Sequence, residues 1–248
     1  MILNIAAYHF VRIDDPSALA AQLREAAEAL ELRGTVLVAG EGINLFLAGD
    51  EAAVDGLLQR LTTDPRFAAL QVKRSWSQAC PFARLKVKLK PEIIRFDRPQ
   101  ADPLRQRAPA VAPETLAGWL RQGHDDDGRP LVMLDTRNAQ EVAYGTFEGA
   151  LTLPIAKFTD LPQALEPHRE ALAVATVVSF CTGGIRCEKA ALWMRQSGMD
   201  NVLQLDGGIL GYFERVGGQG YDGRCFVFDQ RVALDPALRP LAEPAAVS

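Results

Sequence analysis

Hydrophobic and polar positions follow two different patterns along the chain, and the pattern changes near residue 100. Up to residue 98, segments in which apolar residues alternate with polar ones are separated by two longer segments, 15–32 and 50–65, with helical periodicity. Beyond residue 112, short runs of continuously apolar residues alternate with helical segments. The stretch between them, RPQADPLRQRAPAVAP (98–113), has four prolines and no period, so we interpret residues 99–112 as a linker.

The first part, residues 1–98, has the pattern of a sheet covered on one face by two helices. Strands are predicted at LNIAAYHFVRI, GTVLVA, INLFLAG, LQVKRSW and ARLKVKLKPEII. Asp15-Pro16-Ser17 is a suitable start for the first helix, and Gly40-Glu41-Gly42 marks a turn between two strands. The order βαββαβ predicts a ferredoxin-like (acylphosphatase-like) α+β sandwich, in which both helices lie on one face of an antiparallel sheet.

The second part, residues 113–220, alternates helices with fully apolar strands. Strands are predicted in PLVMLDTR, ATVVSF and NVLQLDGG, and each is followed by a helical segment. Continuously apolar strands between helices predict a parallel α/β sheet covered on both faces. Functional sites in such sheets form beyond the carboxyl ends of the strands, where Asp135, Cys181 and residues 206–208 fall. We interpret residues 221–248 as a C-terminal extension.

Composition is that of an ordinary globular protein. The chain has 248 residues, of which 48% are apolar and 23% are charged. No apolar run approaches the roughly 20 residues of a membrane span, and the N-terminus lacks the pattern of a signal peptide, so we expect a cytoplasmic protein without a membrane partner. The four cysteines are too few for a disulfide scaffold. Neither they nor the three histidines have ligand spacing, so no structural metal is expected.

Charge is distributed unevenly in a chain whose net charge is −4. Residues 66–98 contain nine lysines and arginines against two acidic residues. Within them, RLKVKLK alternates cations with apolar residues, so a period of two places four cations on one face of a strand: Arg84, Lys86, Lys88 and Lys90. The solvated outer face of a sheet explains this pattern, and so does a surface that contacts the phosphates of a nucleic acid.

The strongest chemical signal lies in VVSFCTGGIRCEKAALWM, where a strand ends at Cys181 and a helix begins near Arg186. Four residues lie between them and must turn sharply: Thr182, Gly183, Gly184 and Ile185. The two glycines permit the backbone angles that such a turn requires. Backbone N–H groups of this loop and the helix N-terminus form an anion cradle around the sulfur. Arg186 adds a positive charge, so we predict that Cys181 is a reactive thiolate.

Spacing separates the chemistries that such a cysteine supports. Four residues lie between Cys181 and Arg186, one fewer than in tyrosine-phosphatase loops, so the cradle suits a sulfur or a persulfide better than a phosphate. Five residues lie between Cys181 and Cys187, whereas a dithiol redox motif has two. Cys187 falls in the first turn of the helix, where it is either a core residue or a resolving thiol.

The remaining candidates are expected to have supporting roles. Asp135 follows a strand and is expected to cap the turn after it, with Arg137 in an internal ion pair, so that both support the loop without reacting. Cys80 and Cys225 are expected to be buried structural thiols.

Several of these motifs resemble a known family. CTGGIR resembles the six-residue active-site loop of a rhodanese domain, and LDTR and LDGGILGYFE resemble its Asp-x-Arg and Gly-Gly stretches. More specifically, DTRNAQEVAYGTFEGA, CTGGIRCEKAA, LDGGILGYFE and CFVFDQR are together similar to the rhodanese-like tRNA uridine hydroxylase family. GEGIN (40–44) and PFARLKVKLKPEII (81–94) resemble the N-terminal domain of that family, so the similarity covers nearly the whole chain.

The resemblance implies an activity. Members of that family make 5-hydroxyuridine at the wobble position, in the anticodon region of certain tRNAs, with molecular oxygen as co-substrate. Their required cysteine corresponds to Cys181, and a tRNA partner favours phosphate contact for the basic strand. Some members carry a cysteine-rich tail, whereas this chain ends in VALDPALRPLAEPAAVS, so no metal role of such a tail carries over. No flavin, haem or iron signature is visible, so no further cofactor is expected.

The residues and the resemblance together leave three functions open. In a hydroxylase, Cys181 adds to C6 of uracil, or it works as a persulfide or a sulfenic acid. In a sulfurtransferase, it passes persulfide sulfur to a thiol or to cyanide. In a non-enzymatic module, the second domain only senses anions while the protein binds RNA or regulates. The resemblance favours the tRNA hydroxylase, an oxidoreductase.

Overall fold

Strands with alternating burial and two amphipathic helices build the first part of the chain. The computed structural model describes residues 1–242. It divides into two compact units, the first formed by Met1–Arg95 with Phe228–Val232 and residues 239–242, the second by Phe96–Val227 with Ala233–Leu238. The helices and strands of the first unit are β1 (Ile2–Phe10), α1 (Pro16–Ala29), β2 (Arg33–Ala39), β3 (Gly42–Gly49), α2 (Glu51–Thr62), β4 (Gln71–Ser77) and β5 (Leu85–Leu89).

One face of the first sheet carries the core of this unit. Leu3 and Ile5 of β1 pack in the same apolar cluster as Leu23 of α1 and Leu57 of α2. Asp15 begins α1, where its Oδ1 accepts a hydrogen bond from the Ala18 N–H at 2.9 Å. The cluster therefore joins both helices to the sheet, and the predicted α+β sandwich is confirmed.

The fifth strand, predicted from ARLKVKLKPEII, adds to the sheet beyond the four strands of the βαββαβ order. The sheet has the order β4-β1-β3-β2-β5, and its pairs are antiparallel except that β5 runs parallel to β2. The connection after β4 crosses from one edge of the sheet to the other. β5 runs in the opposite direction to β4, which is the same direction as β2. The sheet is thus mixed, not purely antiparallel as expected.

The GEGIN motif holds the segment that follows β5. Gly42 has φ 145°, and a Cβ there would lie 2.0 Å from the carbonyl oxygen of His9, so only glycine fits. Glu41 Oε1 accepts a hydrogen bond from the Ile93 N–H at 2.7 Å, and Asn44 Nδ2 donates to the Ile93 carbonyl at 3.3 Å. GEGIN and PEII are therefore connected in the fold, because side chains of the first motif bind the backbone of the second.

Parallel strands alternate with helices in the second unit. Its five-stranded sheet has the order β6-β11-β10-β7-β9, and all its pairs are parallel. The elements are β6 (Ala110–Val111), α3 (Pro113–Gln122), β7 (Leu131–Asp135), α4 (Ala139–Val142), β8 (Gly145–Phe147), β9 (Leu151–Thr152), α5 (Leu161–Leu165), α6 (Arg169–Leu172), β10 (Thr176–Phe180), α7 (Ile185–Gln196), β11 (Val202–Leu205), α8 (Gly208–Val216), β12 (Tyr221–Gly223), β13 (Cys225–Phe226) and β14 (Ala233–Leu234).

The centre of this sheet explains its continuously apolar sequence. Every residue of β10, the middle strand, is buried, and so are residues 185–194 of α7. Val177, Val178 and Phe180 are fully inaccessible, as expected for a strand covered on both faces. The predicted parallel α/β domain is confirmed.

The ends of the second unit lie at different positions from the predicted boundaries. Residues 110–111, which the sequence pattern assigned to the linker 99–112, form β6 and pair with β11. Ala101 and Ala108 are buried. The proline-rich segment is therefore an irregular part of the chain that packs against its surroundings, and not a solvent-exposed linker. In the predicted extension 221–248, β12 and β13 belong to the second unit and Phe228–Val232 to the first, while residues 243–248 lie outside the described part. Across residues 1–242, no helix combines the length and apolarity that a bilayer crossing requires.

Candidate active site

A tight loop joins the end of β10 to the start of α7 and surrounds the sulfur of Cys181. Gly184 has φ 98°, a left-handed conformation, and immediately precedes the first residue of α7. Its N–H donates a hydrogen bond to Cys181 Sγ at 3.2 Å, and the backbone N–H of Arg186 also contributes to lowering the pKa of this thiol. Cys181 is 0% exposed, whereas Thr182 and Gly183 are half-buried. The loop therefore directs backbone donors at one buried sulfur atom.

Helix α8 fixes the orientation of this loop from outside. The N–H groups of Ile209 and Leu210 donate to the carbonyls of Cys181 and Thr182 at 2.9 and 3.0 Å. With these carbonyls turned towards α8, the N–H groups that follow are free to face the sulfur. Gly208 has φ 64°, and a Cβ there would lie 2.5 Å from Gly184 N, so the approach of α8 depends on this glycine. The Gly-Gly stretch thus acts through the backbone of the loop.

These contacts change the acidity of the cysteine. Complete burial raises the pKa of Cys181, but a hydrogen bond from Cys187, the charge of Arg186 and the two backbone N–H groups outweigh it. The result is a pKa of about 5, well below the ordinary value for a thiol. The lowered pKa favours the thiolate form of Cys181 at neutral pH.

Arg186 does not act as an unpaired charge, because Glu141 of α4 binds it. Its Nη1 and Nη2 donate to Glu141 Oε2 and Oε1 at 2.6 and 2.7 Å, and the side chains are 8% and 1% exposed. Burial raises the pKa of Glu141, but the hydrogen bonds and charge of Arg186 lower it below its usual value. Glu141 Oε1 also accepts from Thr182 Oγ1 at 3.3 Å, so this carboxylate holds two side chains of the loop.

Sequence reasoning missed Glu141, although a signal was present. Asn138 stands three residues before it, the spacing of a capping box. The Asn138 N–H donates to Glu141 Oε2 at 3.1 Å, which fixes the carboxylate at the start of α4. The acidic residue of this short helix is therefore shared between its own cap and the loop.

Asp135 and Arg137 form an ion pair that is completely buried beside the loop. Arg137 Nη2 donates to Asp135 Oδ2 at 2.6 Å and to the Gly145 carbonyl at 2.6 Å. Thr146 Oγ1 donates to the same carboxylate at 2.8 Å. Burial lowers the pKa of Arg137, but Asp135 more than compensates, so the guanidinium keeps its charge. The pair joins the end of β7 to β8 and is the internal ion pair expected for Arg137, while its role in supporting the loop stays a prediction.

The other cysteines differ in their surroundings. Cys225 is fully buried, as expected, and its thiol donates to the Phe226 carbonyl at 3.8 Å. Burial raises its pKa to about 12, so it stays a neutral thiol. Cys187 is fully buried in the first turn of α7, next to Cys181. Cys80, in the first unit, is only half-buried, so the expectation of a buried thiol is wrong there.

The basic strand lies in the first unit, on β5 and the two residues that flank it. Hydrogen bonds of the strand ladder continue past both ends, from Gly34 N to the Arg84 carbonyl and from Lys90 N to the Val38 carbonyl. Val87 packs in the core, so Lys86 and Lys88 point to the face away from the helices. Arg84, Lys86, Lys88 and Lys90 are exposed and form no salt bridge with residues 1–242.

Three other cations of the basic segment contact acidic or aromatic side chains within the first unit. Arg66 forms a salt bridge with Asp64, Arg74 forms one with Asp55, and Lys73 is buried against the ring of Tyr8. The exposed, unpaired charge of this segment is therefore concentrated on the β5 strand. No group of three or more histidine, cysteine or acidic side chains in the described residues has the arrangement of a metal site.

The fold and the loop define the class of the second unit. A parallel α/β sheet with a cysteine loop that leads into a helix is the architecture of a rhodanese-like domain, and residues 116–215 match the family model of the rhodanese-like domain. Residues 2–93 match the UPF0176 acylphosphatase-like domain.

Full-length relatives specify the family. The tRNA uridine(34) hydroxylase of Xanthomonas campestris pv. campestris (strain B100) is 69% identical over 246 residues, which cover 99% of this chain and 97% of that protein. The protein of the same name from Xylella fastidiosa (strain M23) is 64% identical over 248 residues, covering 100% and 96%. A solved Saccharomyces cerevisiae homologue of single-domain rhodanese has a TM-score of 0.39 and 16% identity, covering 46% of this chain and 87% of that one. The chain belongs to the tRNA uridine(34) hydroxylase family.

Proposed function

We propose that this protein hydroxylates C5 of the wobble uridine of tRNA, giving 5-hydroxyuridine, with Cys181 as the catalytic residue and molecular oxygen as co-substrate. The observation that carries the proposal is a buried thiolate held by backbone N–H groups in a chain whose relatives, named tRNA uridine(34) hydroxylases, match it end to end. A cytoplasmic location, where tRNA resides, is part of the proposal.

The thiolate suits nucleophilic addition to a pyrimidine. Sulfur attacks C6 of uracil, a C6–S bond forms, and the electrons of the C5–C6 double bond move towards the C4 carbonyl, which makes C5 electron-rich. One oxygen atom of O₂ is added at C5 and the other leaves as water, with the two electrons and two protons supplied by an external thiol reductant, two thiols of which become a disulfide. Loss of the C5 proton and return of the C6–S electron pair to sulfur then restore the double bond and the thiolate.

The charge around the sulfur favours a neutral substrate. Glu141 neutralises Arg186, and Asp135 neutralises Arg137, so the loop presents the thiolate without an excess of positive side chains. A phosphate or sulfate group would meet this negative sulfur, whereas a uracil ring carries no charge. The side chains of Thr182 and Arg186, and the supporting pair Asp135–Arg137, serve in this proposal to hold the loop.

The basic strand is proposed to bind the phosphates of the tRNA. Its four cations recur every second residue, so neighbouring charges are about 7 Å apart along one edge of the sheet. They are exposed and unpaired in the described chain, unlike Arg66, Arg74 and Lys73 of the same segment. Such contacts position a nucleic acid without reading its sequence.

The test is a reconstitution with purified protein. Unmodified tRNA and a thiol reductant are incubated with the protein under 18O₂, and nucleosides are analysed by mass spectrometry. The proposal expects 5-hydroxyuridine carrying 18O with the wild type and none with Cys181→Ser, which keeps the backbone of the loop. Absence of the product with wild-type protein, together with efficient sulfur transfer from thiosulfate to cyanide, would reject the proposal in favour of a sulfurtransferase.

A further inference from the structure

The first sheet has one face that lies opposite α1 and α2. Successive residues of a strand alternate between the two faces, and Leu45 and Leu47 of β3 belong to the core that the helices cover. Phe46, between them, therefore points to the other face, where it is half-buried. An aromatic side chain thus stands on a face of the sheet that neither helix covers.

The strand register places lysines beside this ring. Phe46 pairs with Thr35 of β2, and Thr35 pairs in turn with Lys86 of β5. In the next row that points to the same face, Leu37 of β2 pairs with Lys88. Because neighbouring strands are about 4.8 Å apart, the backbone of Lys86 lies about 10 Å from that of Phe46. One row thus leads from an aromatic ring, over a small side chain, to a positive charge.

The two sides of this face differ in how far they are accessible. On the β4 side, Arg231 donates to Ser75 Oγ at 2.7 Å, and both residues are buried. On the β5 side, Lys86 and Lys88 are exposed, and the β2 residues between them and Phe46 are half-buried. The accessible side, which we call the aromatic patch, is formed by Thr35, Leu37, Phe46, Lys86 and Lys88.

The composition of the aromatic patch fits a nucleotide with an unpaired base. An aromatic ring stacks on the flat face of any base, and lysines bind the phosphates of the same strand. A base inside a double helix is already stacked on its neighbours, so a paired RNA would meet only the lysines. Aromatic side chains on an open sheet face are a general means of binding single-stranded RNA.

We propose that the aromatic patch binds an unpaired nucleotide of the tRNA, whose base stacks on Phe46 while Lys86 and Lys88 bind the adjacent phosphates. The inference rests on the proposed function, in which tRNA is the substrate, and adds to it a contact with a base. Stacking tolerates every base, so the patch selects unpaired RNA and not a sequence. The lysines alone would bind paired and unpaired RNA alike.

Filter binding of unmodified tRNA to the full-length protein, measured over a range of salt concentrations, tests the patch. Phe46→Leu keeps an apolar side chain but removes the ring, and it should weaken binding about 5-fold or more, the effect of losing one stacked base. The slope of log K against log salt should not change, because no phosphate contact is lost. Phe46→Tyr keeps the ring and should bind as the wild type does.

Trp76 provides a control on the opposite face of the same sheet. It is 40% exposed, and two residues before it on β4 Arg74 forms its salt bridge with Asp55 of α2. Trp76→Leu should therefore leave tRNA binding unchanged. A fully paired RNA duplex is the second control, because it offers phosphates without an unpaired base. Phe46→Leu should not weaken its binding to the protein.

Three results would overturn the inference. Unchanged tRNA affinity in Phe46→Leu, in protein whose far-ultraviolet dichroism is native, would show that no base stacks on this ring. Equal weakening of tRNA and duplex binding, or a smaller salt slope, would show that the substitution disturbs phosphate contacts instead. A dimer that dissociates in Phe46→Leu without a loss of tRNA affinity would assign the patch to a second copy of this chain. Phe46→Met gives the same comparison if the leucine variant does not fold.

The hydroxylation assay separates this inference from the proposed function. If the wild type forms 5-hydroxyuridine and Phe46→Leu binds tRNA normally, the inference fails and the function stands. If Phe46→Leu weakens tRNA binding as expected but the wild type forms no product, the function fails and the patch stands. If both are correct, Phe46→Leu should raise KM for tRNA and leave kcat nearly unchanged, because the patch is not part of the cysteine loop.

Discussion

The buried ion pair between Glu141 and Arg186 should be one of the largest single contributions to the stability of the second unit. Glu141→Gln keeps the size of the side chain but replaces one acceptor oxygen with an N–H₂ group that faces a guanidinium donor. Arg186 then remains charged and buried, with half of its partner. Removing one member of a buried pair typically costs about 3 to 5 kcal/mol. The contacts at 2.6 and 2.7 Å and the 1% exposure of Glu141 place the loss of unfolding free energy in Glu141→Gln in that range.

An exposed pair that also has two nitrogen–oxygen contacts serves as the control. Arg215 donates to Glu114 at 2.7 Å through Nε and approaches it to 2.6 Å through Nη2, but the side chains are 46% and 53% exposed. Glu114→Gln should therefore cause only a small loss, because water replaces the missing contact. The comparison separates the effect of burial from that of the fork-shaped geometry.

Urea unfolding followed by tryptophan fluorescence measures the difference. In a Trp76→Phe background the remaining tryptophans, Trp119 and Trp193, both lie in the second unit. With an m-value of about 2 kcal/mol/M, Glu141→Gln should lower the midpoint by about 1.5 to 2.5 M.

The same pair predicts a pH dependence with a definite sign. The folded-state pKa of Glu141 is lowered, so its contribution is complete above the ordinary carboxyl value of about 4.3 and is lost as pH falls through the folded value. The gap between wild type and Glu141→Gln should narrow in acid. A loss no larger than that of Glu114→Gln, or a gap that does not change with pH, would refute the reasoning.

Three further predictions follow from other contacts. Gly208→Ala should push α8 off the loop and raise the pKa of Cys181, measured as the midpoint of thiolate absorbance at 240 nm against pH. Gly118→Ala, whose Cβ meets nothing within 4 Å, should leave that midpoint unchanged. Replacing Lys86 and Lys88 together with glutamine should weaken tRNA binding and reduce the slope of log K against log salt by about 1.5, while Arg60→Gln on α2 should leave the slope unchanged in filter-binding assays. Arg231→Ala should leave the buried carboxylate of Asp229 without its partner and destabilise the first unit by about 3 kcal/mol, measured by Trp76 fluorescence in urea.

The sequence was most informative where local patterns coincide with long elements. The helices α1, α2, α3 and α7 and the strands around them follow from apolar periodicity, proline or aspartate starts and glycine ends. Cys181 was identifiable because glycines, an arginine and a helix start occur within a few residues of it. These are local features, so spacing alone reveals them.

Contacts between distant residues were not predictable in the same way. Glu141 binds Arg186 across 45 positions, and Ile209 and Leu210 donate to loop carbonyls, yet no local pattern connects these segments. The prolines of 99–112 indicated a linker, but Val111 becomes buried because β11 offers an edge for it to pair with. The return of Phe228–Val232 to the first unit is likewise a tertiary contact, made by Arg231 to Ser75.

The central claim is that Cys181 carries out the modification of the wobble uridine, and tRNA nucleoside analysis in living cells tests it most directly. A strain lacking this gene is complemented with the wild type or with Cys181→Ser at equal protein levels, and the nucleosides of total tRNA are measured by mass spectrometry. We expect 5-hydroxyuridine and its derivatives to disappear in the deletion strain, to return with the wild type and to stay absent with Cys181→Ser. Restoration of these nucleosides by Cys181→Ser to the wild-type level would contradict the account.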